Sequence, residues 1–177
     1  YSGRGKDNLE IDISKEQRRK YVEFIIDKAF EYYKNGNNID LVTGNMEMDA
    51  IMLLDRFKKE YPDFVETLEQ KLKAWGGNSA GYRLGNMDWA GNVKPDPFFP
   101  FVVGNYLETP FDEIWTSTSN EILNKLREHP RQIKGRCEEC KYIEICNGGS
   151  RSRAYAISGD LWEEDPSCYL TLEETRR

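Results

Sequence analysis

The chain has 177 residues, 32% of them charged, and a formal net charge of −6. That balance argues against a general surface for nucleic acid or anionic membrane, and no apolar run approaches the ~20 residues needed to cross a bilayer. No signal peptide is visible at the start, and a cytoplasmic location is the expectation; the opening "YSGRGKD", without an initiator Met, suggests a portion of a longer or processed polypeptide.

From the N-terminus, residues 14–35 read as an amphipathic helix. Ser14 and Gln17 have capping-box spacing, Tyr21, Phe24, Ile25, Ala29 and Tyr32 fall on one face, and Gly36 is a natural stop. "IDLVTG" (39–44) has the β-branched, apolar character of a short buried strand. A second helix is expected over 47–60, broken by Pro62, and a third runs to about Ala74 with Tyr61, Val65, Leu68, Leu72 and Trp75 in one stripe. Such stripes are core packing and carry no function. "WGGNSAG" (75–81) marks the best domain boundary. Beyond it, 82–95 reads as a hairpin turning at Gly91-Asn92, "FVVGN" (101–105) as another strand, and 110–130 as a turn of helix followed by a helix over about 119–128. The tail "LTLEETRR" is expected to be exposed. The only histidine, His129, precedes Pro130 at a helix end and suggests no acid–base chemistry.

All four cysteines lie in residues 135–170, spaced Cys137-x2-Cys140-x5-Cys146-x21-Cys168. A Cys-x2-Cys turn points two sulfurs the same way, a third cysteine five residues on closes another corner, and a distant fourth completes an S4 set. That set suits Zn²⁺ or an iron–sulfur cluster. A zinc ribbon carries two such knuckles and this segment has one, which tilts the reading toward a cluster. Gly148-Gly149 lets backbone approach cluster sulfurs closely, and Arg136, Arg151 and Arg153 bring positive charge beside an anionic centre or an acidic substrate. Residues 131–170 have few large apolar side chains, so metal ligation is expected to supply much of their order, with the helices before residue 75 standing independently.

The segment "CEECKYIEICNGGSRSRAYAISGDLWEEDPSCYL" resembles the C-terminal auxiliary-cluster domain, SPASM/twitch, of radical S-adenosylmethionine enzymes. "GNYLETPFDEIW" is similar to that family's linker and "YRLGNMDWAGNVKPD" to its opening hairpin. "YSGRG", "VTGN" (42–45) and "GGNSAG" (76–81) look most like the branch acting on haem precursors, in haem d1 biosynthesis and in the didecarboxysiroheme-deacetylating step of the alternative haem pathway. The resemblance implies an α/β chain: residues 1–75 as the C-terminal part of a partial (β/α)6 barrel, then 76–177 as a small α+β cysteine-rich SPASM/twitch-like domain.

Full SPASM domains hold two auxiliary clusters. Here Asn86 and Ser150 occupy positions where the first of these takes thiolates, so the resemblance implies one [4Fe-4S] cluster, on Cys137, Cys140, Cys146 and Cys168. The family's Cys-x3-Cys-x2-Cys motif, which holds the cluster that cleaves S-adenosylmethionine, is not in these residues, since the first cysteine is Cys137. Barrel active sites collect residues at the C-terminal ends of strands. The resemblance therefore makes Ser2, Arg4, Thr43 and Asn45 candidates for cofactor or substrate contact, and Arg83, Arg136, Arg151 and Arg153, with Arg4, anchors for substrate carboxylates. The implied parent uses S-adenosylmethionine and an electron-donor protein to modify an iron-containing tetrapyrrole. Two rivals stand beside it: a non-enzymatic interaction module with zinc in the same thiolates, and a peptide-modifying maturase of the same superfamily.

Overall fold

A computed structural model describes residues 3–44 and 47–176. A kinked 3-10 segment, Gly3–Ile11, leads into α1, Lys15–Lys34. The expected capping box is present: Ser14 Oγ accepts from Gln17 N at 3.2 Å, and Gln17 Oε1 accepts from Ser14 N at 2.9 Å. The helix ends at Asn35, with Gly36 at φ +70°. α2, Asp49–Glu60, and α3, Val65–Trp75, follow, separated by a 3-10 turn at Pro62–Phe64. Gly76, in the left-handed region, closes α3.

Two expectations about this half are corrected. The buried face of α1 is Val22 and Ile26, whereas Tyr21 and Phe24 are each 58% exposed. The helix has two adjacent apolar arcs, and the one carrying Val22 and Ile26 meets α2. Residues 39–44 form no strand. A strand is stabilised by a bonded neighbour, and among the described residues none lies beside this segment.

The hairpin is present in miniature. β1 (Asn86–Met87) and β2 (Asn92–Lys94) pair antiparallel, Met87 opposite Val93, around a turn in which Asp88 Oδ1 accepts from the backbone of Ala90 and Asn92. β3 (Gly104–Asn105) adds to β2, with Val93 opposite Gly104. α4 (Phe111–Thr116) and α5 (Glu121–Arg127) cover this sheet, α5 being capped by Asn120. The cysteine segment contributes a 3-10 turn at Gly135–Cys137, α6 (Ile143–Cys146) and α7 (Arg151–Ser158), and α8 (Leu172–Thr175) closes the chain. The tail is largely exposed, as expected, with Thr171, Leu172, Glu173 and Arg176 open to solvent, yet it is also docked. Lys141 N donates to Thr175 O at 2.9 Å, Cys140 bridges to Arg176, and Arg19 of α1 grips Glu174 with two bonds of 2.6 and 2.9 Å.

The main core joins the two halves. Val22 and Ile26 of α1 and Met48, Ile51, Met52 and Leu54 at α2 share it with Cys140, Tyr142, Ile145, Cys168, Tyr169 and Leu170. A smaller core of Phe99, Leu126 and Leu161 lies under α5.

Candidate metal centre and the cavity beside it

Cys137 ends its 3-10 turn, and Cys140 N donates back to Cys137 O at 3.2 Å, the tight turn expected of Cys-x2-Cys. Cys146 is the last residue of α6, and Cys168 follows an Asp-Pro turn in which Cys168 N bonds Asp165 O at 3.0 Å. All four thiols are free, with Cys140 and Cys168 buried. Burial pushes the thiols of Cys137, to about 12, and of Cys146 and Cys168 upward. Cys137 and Cys146 each feel the charge of Cys168, and Cys137 and Cys168 each that of Cys140.

Local structure explains the convergence. After Cys146 the chain takes three successive positive φ angles: Asn147 at +50°, Gly148 at +80° and Gly149 at +70°. A Cβ on Gly149 would fall 2.5 Å from Asp165 Oδ2, so only glycine lets this turn close on the Asp-Pro turn that precedes Cys168. Asp165 is the joint between them. Its Oδ2 accepts from Ser150 N at 2.8 Å and its Oδ1 from Ser167 N at 3.0 Å.

Each arginine singled out by sequence, Arg4 apart, has a definite place. Arg136 donates to Leu170 O and Cys168 O at 2.7 and 3.0 Å and lies 2.9 Å from Glu164, strapping the Cys137 turn to Cys168. Arg153 pairs with Asp165 at 2.7 Å and Glu47 at 3.5 Å. Arg151 is fully buried and donates to the carbonyls of Gly148, Gly149, Leu161 and Glu163. Arg83 caps α3, donating to Ala74 O and Trp75 O while lying over the Trp75 ring. Ser150 caps α7 by accepting from Arg153 N, which gives that position a structural duty in place of a thiolate's. Ser2 and Asn45 lie outside the described residues, as does the side chain of Arg4.

Next to the cysteine loops opens a cavity of about 730 Å³. Its lining includes the apolar side chains of Ile25, Phe30, Leu41, Leu53 and Leu72 and the polar ones of Thr43, Glu47, Asp49, Asn78, Asp96 and Ser152; Ile145, next to Cys146 in sequence, and Ser150 line it too. Thr43, a sequence candidate, lines it and hydrogen-bonds Asp49. The acids were missed. Glu47 accepts from Asn78 at 2.8 Å, Asp49 from the Tyr169 hydroxyl at 2.6 Å, and Asp96 from Phe98 N at 2.7 Å and Ser152 at 3.1 Å. Burial raises all three above the ordinary carboxylate range. Arg131, also missed, is 3% exposed and bonds the carbonyls of Leu126, Asn78 and Asn147. Its partners are distant in sequence, and no spacing rule points to them.

The donor set fits an iron–sulfur cluster. It comprises four unpaired thiols on three linked segments, with guanidinium groups around them. Among the described residues no group of three or more His, Cys, Asp or Glu side chains is gathered to hold a single metal ion. Among the described residues, too, no helix is long and apolar enough to cross a membrane.

No protein-family model matches the chain. Over 178 aligned positions it is 39% identical to pre-heme d1 synthase of Dinoroseobacter shibae, covering 99% of this chain and 44% of that protein. It is 35% identical to Fe-coproporphyrin III synthase of Methanosarcina barkeri, covering 98% of this chain and 45% of that protein. A shorter match, 45% identical over 78 residues, is to AdoMet-dependent heme synthase of the same organism, 44% of this chain and 21% of that protein. The chain spans less than half the length of each relative and corresponds to their C-terminal part.

Proposed function

We infer that this chain, related by sequence to the heme-pathway synthases just described, is the C-terminal portion of a radical S-adenosylmethionine enzyme acting on an iron-containing haem precursor. In this reading residues 1–75 complete a (β/α)6 barrel and 76–177 form a SPASM/twitch-like domain. Cys137, Cys140, Cys146 and Cys168 hold one auxiliary [4Fe-4S] cluster. The observation that carries it is the set of four free thiols, on segments linked by the 147–149 turn, the Asp165 joint and the Arg136 strap and near enough to feel one another's charge. A zinc module is the weaker reading. A zinc ribbon carries two Cys-x2-Cys knuckles and this segment has one.

A cluster with a thiolate on every iron supplies one-electron transfer rather than substrate ligation. The chain's own residues do the rest. The cavity is within the range of small-molecule sites, about 300–1,000 Å³, and its mixture of apolar and polar lining residues suits an apolar ring with polar substituents. Thr43, and with it Ser2, Arg4 and Asn45, contacts S-adenosylmethionine or substrate from the barrel side. Of the five candidate anchors for carboxylates, Arg83 lies beside Trp75 and Leu84, which line the cavity. Arg136, Arg151 and Arg153 hold the cysteine segment. An electron-donor protein serves the whole enzyme.

Anaerobic iron and sulfide analysis of the full-length protein and of its Cys137→Ala/Cys140→Ala variant tests the cluster. The variant is expected to lose about four irons and four sulfides per chain. Loss of one zinc instead, or no loss of metal, would overturn the reading.

A further inference from the structure

Two of the arginines around the cysteines lack what buried arginines ordinarily have. Arg151 is 0% and Arg131 3% exposed. Among the described residues neither has a carboxylate at ion-pairing distance, whereas Arg136 has Glu164 and Arg153 has Asp165. Their guanidinium groups are held by backbone carbonyls, and several of these belong to one turn: Asn147 O for Arg131, Gly148 O and Gly149 O for Arg151. That turn directly follows Cys146. Carbonyl dipoles orient a guanidinium but do not cancel its charge, and two buried cations without a direct ion-pair partner are costly. Burial lowers the proton affinity of both, and Arg151 lowers that of Arg131 further. The groups in the surroundings that favour their charge are Asp165 first for Arg151, then Cys137, Cys146 and Glu47, and for Arg131 Glu47 followed by Cys146.

We propose that Arg131 and Arg151 are the fixed counter-charges of the cysteine-bound centre and that they set its reduction potential. The inference rests on the cluster reading above. When a cluster accepts one electron its net charge becomes more negative by one, so fixed cations beside it favour the reduced form. Net charge and burial are among the factors that set such potentials. Holding both cations by carbonyls of the Cys146 turn keeps them from swinging toward solvent or toward Asp165. They would make this centre a readier electron acceptor than the same thiolates alone.

The test is a spectroscopically monitored redox titration of the full-length, cluster-loaded protein. The couple that disappears in the Cys137→Ala/Cys140→Ala variant identifies this centre. Arg151→Met is expected to shift that couple negative, changing its oxidised-to-reduced ratio at a fixed potential by about tenfold or more, which is about 59 mV for a one-electron couple. Arg151→Lys keeps the charge and is expected to shift it less. Arg131→Met shifts it in the same direction as Arg151→Met and decides the matter if Arg151→Met does not fold. Lys134→Met, removing an exposed charge already paired with Asp160, leaves the couple in place. If the folded Met variants hold the cluster with the wild-type potential, the counter-charge role is overturned and the cluster reading survives. If no couple depends on the cysteines, the cluster reading itself falls.

Discussion

Gly77 shows how a single missing side chain can govern the placement of Cys146, a ligand of the proposed cluster. It has φ +74°, and a Cβ there would lie 2.3 Å from Cys146 O and 2.7 Å from its carbonyl carbon. The obstacle is backbone, which cannot swing away as a side-chain tip would. Gly159 has a similar φ of +77° but open space around it. Gly159→Ala should therefore cost only the backbone strain, about 1 kcal/mol. Gly77→Ala adds overpacking and should cost ~3 kcal/mol or more, with a loss of iron because Cys146 is displaced. Urea unfolding and iron analysis of both variants check this; equal costs would show that the contact yields easily.

The acids of the cavity make a second residue-scale case. Asp49 is buried and its pKa is raised by that burial, so the folded chain holds the proton more tightly than the unfolded one. Its penalty is absent below the unfolded value of about 3.9, grows as pH rises through the folded value, and is complete above it. Asp49→Asn removes the charge and keeps an acceptor for the Tyr169 hydroxyl. Between pH 4 and 8 the variant should lose less stability than wild type, although Glu47 and Asp96 retain a slope of the same sign. Superimposable pH profiles would remove Asp49 from this account. The four cysteines were legible in sequence because Cys-x2-Cys-x5-Cys is a local geometry. The acids and Arg131 were not, because Arg131 meets Asn78 across 53 residues and Tyr169 meets Asp49 across 120.

At the scale of elements, local signals read true and tertiary ones did not. The Ser14–Gln17 box starts α1 as expected, since capping involves residues three apart. Which arc of α1 is buried depends on where α2 lies, and periodicity alone could not choose between the arcs. The C-terminal tail carried an unread signal of the same local kind: Thr171 and Glu174 form a capping box that starts α8. Arg19 then fixes α8 to α1, and its hydrogen bonds lower Glu174 to about 2. The folded value lies below the unfolded one, so the contribution is present above the unfolded pKa of about 4.3 and is lost as pH falls through about 2. The pair is partly exposed, so screening limits it to about 1 kcal/mol or less. A double-mutant cycle with Arg19→Ala and Glu174→Gln should give that coupling at pH 7 and a declining one from pH 4 downward. A coupling independent of pH would mean the two residues interact through packing instead.

For the whole molecule, the shared core alters what removing the metal would do. Composition alone suggested that residues 131–170 would loosen by themselves, leaving the preceding helices intact. The structure ties the two together. Tyr142, Ile145 and Tyr169 pack with Met48, Ile51, Met52 and Leu54 in one buried cluster, and Cys140 and Cys168 belong to it. Ligands that are also core residues cannot relax without opening space against α2, and unfilled core volume is costly: Ile→Ala changes at such sites cost about 2–5 kcal/mol. The Phe99, Leu126 and Leu161 core under α5 has no cysteine in it. Hydrogen exchange on the full-length protein, cluster-loaded against Cys140→Ser, should therefore show lost protection in 137–170 and in 48–54 together. The β1–β3 sheet and α5 should change least, although Leu161 and the carbonyl grip of Arg131 on Leu126 carry some of the disturbance there. Loosening confined to 131–170 would mean that α2 closes over the vacated volume by itself, and that the two halves are joined by contact without being coupled in stability.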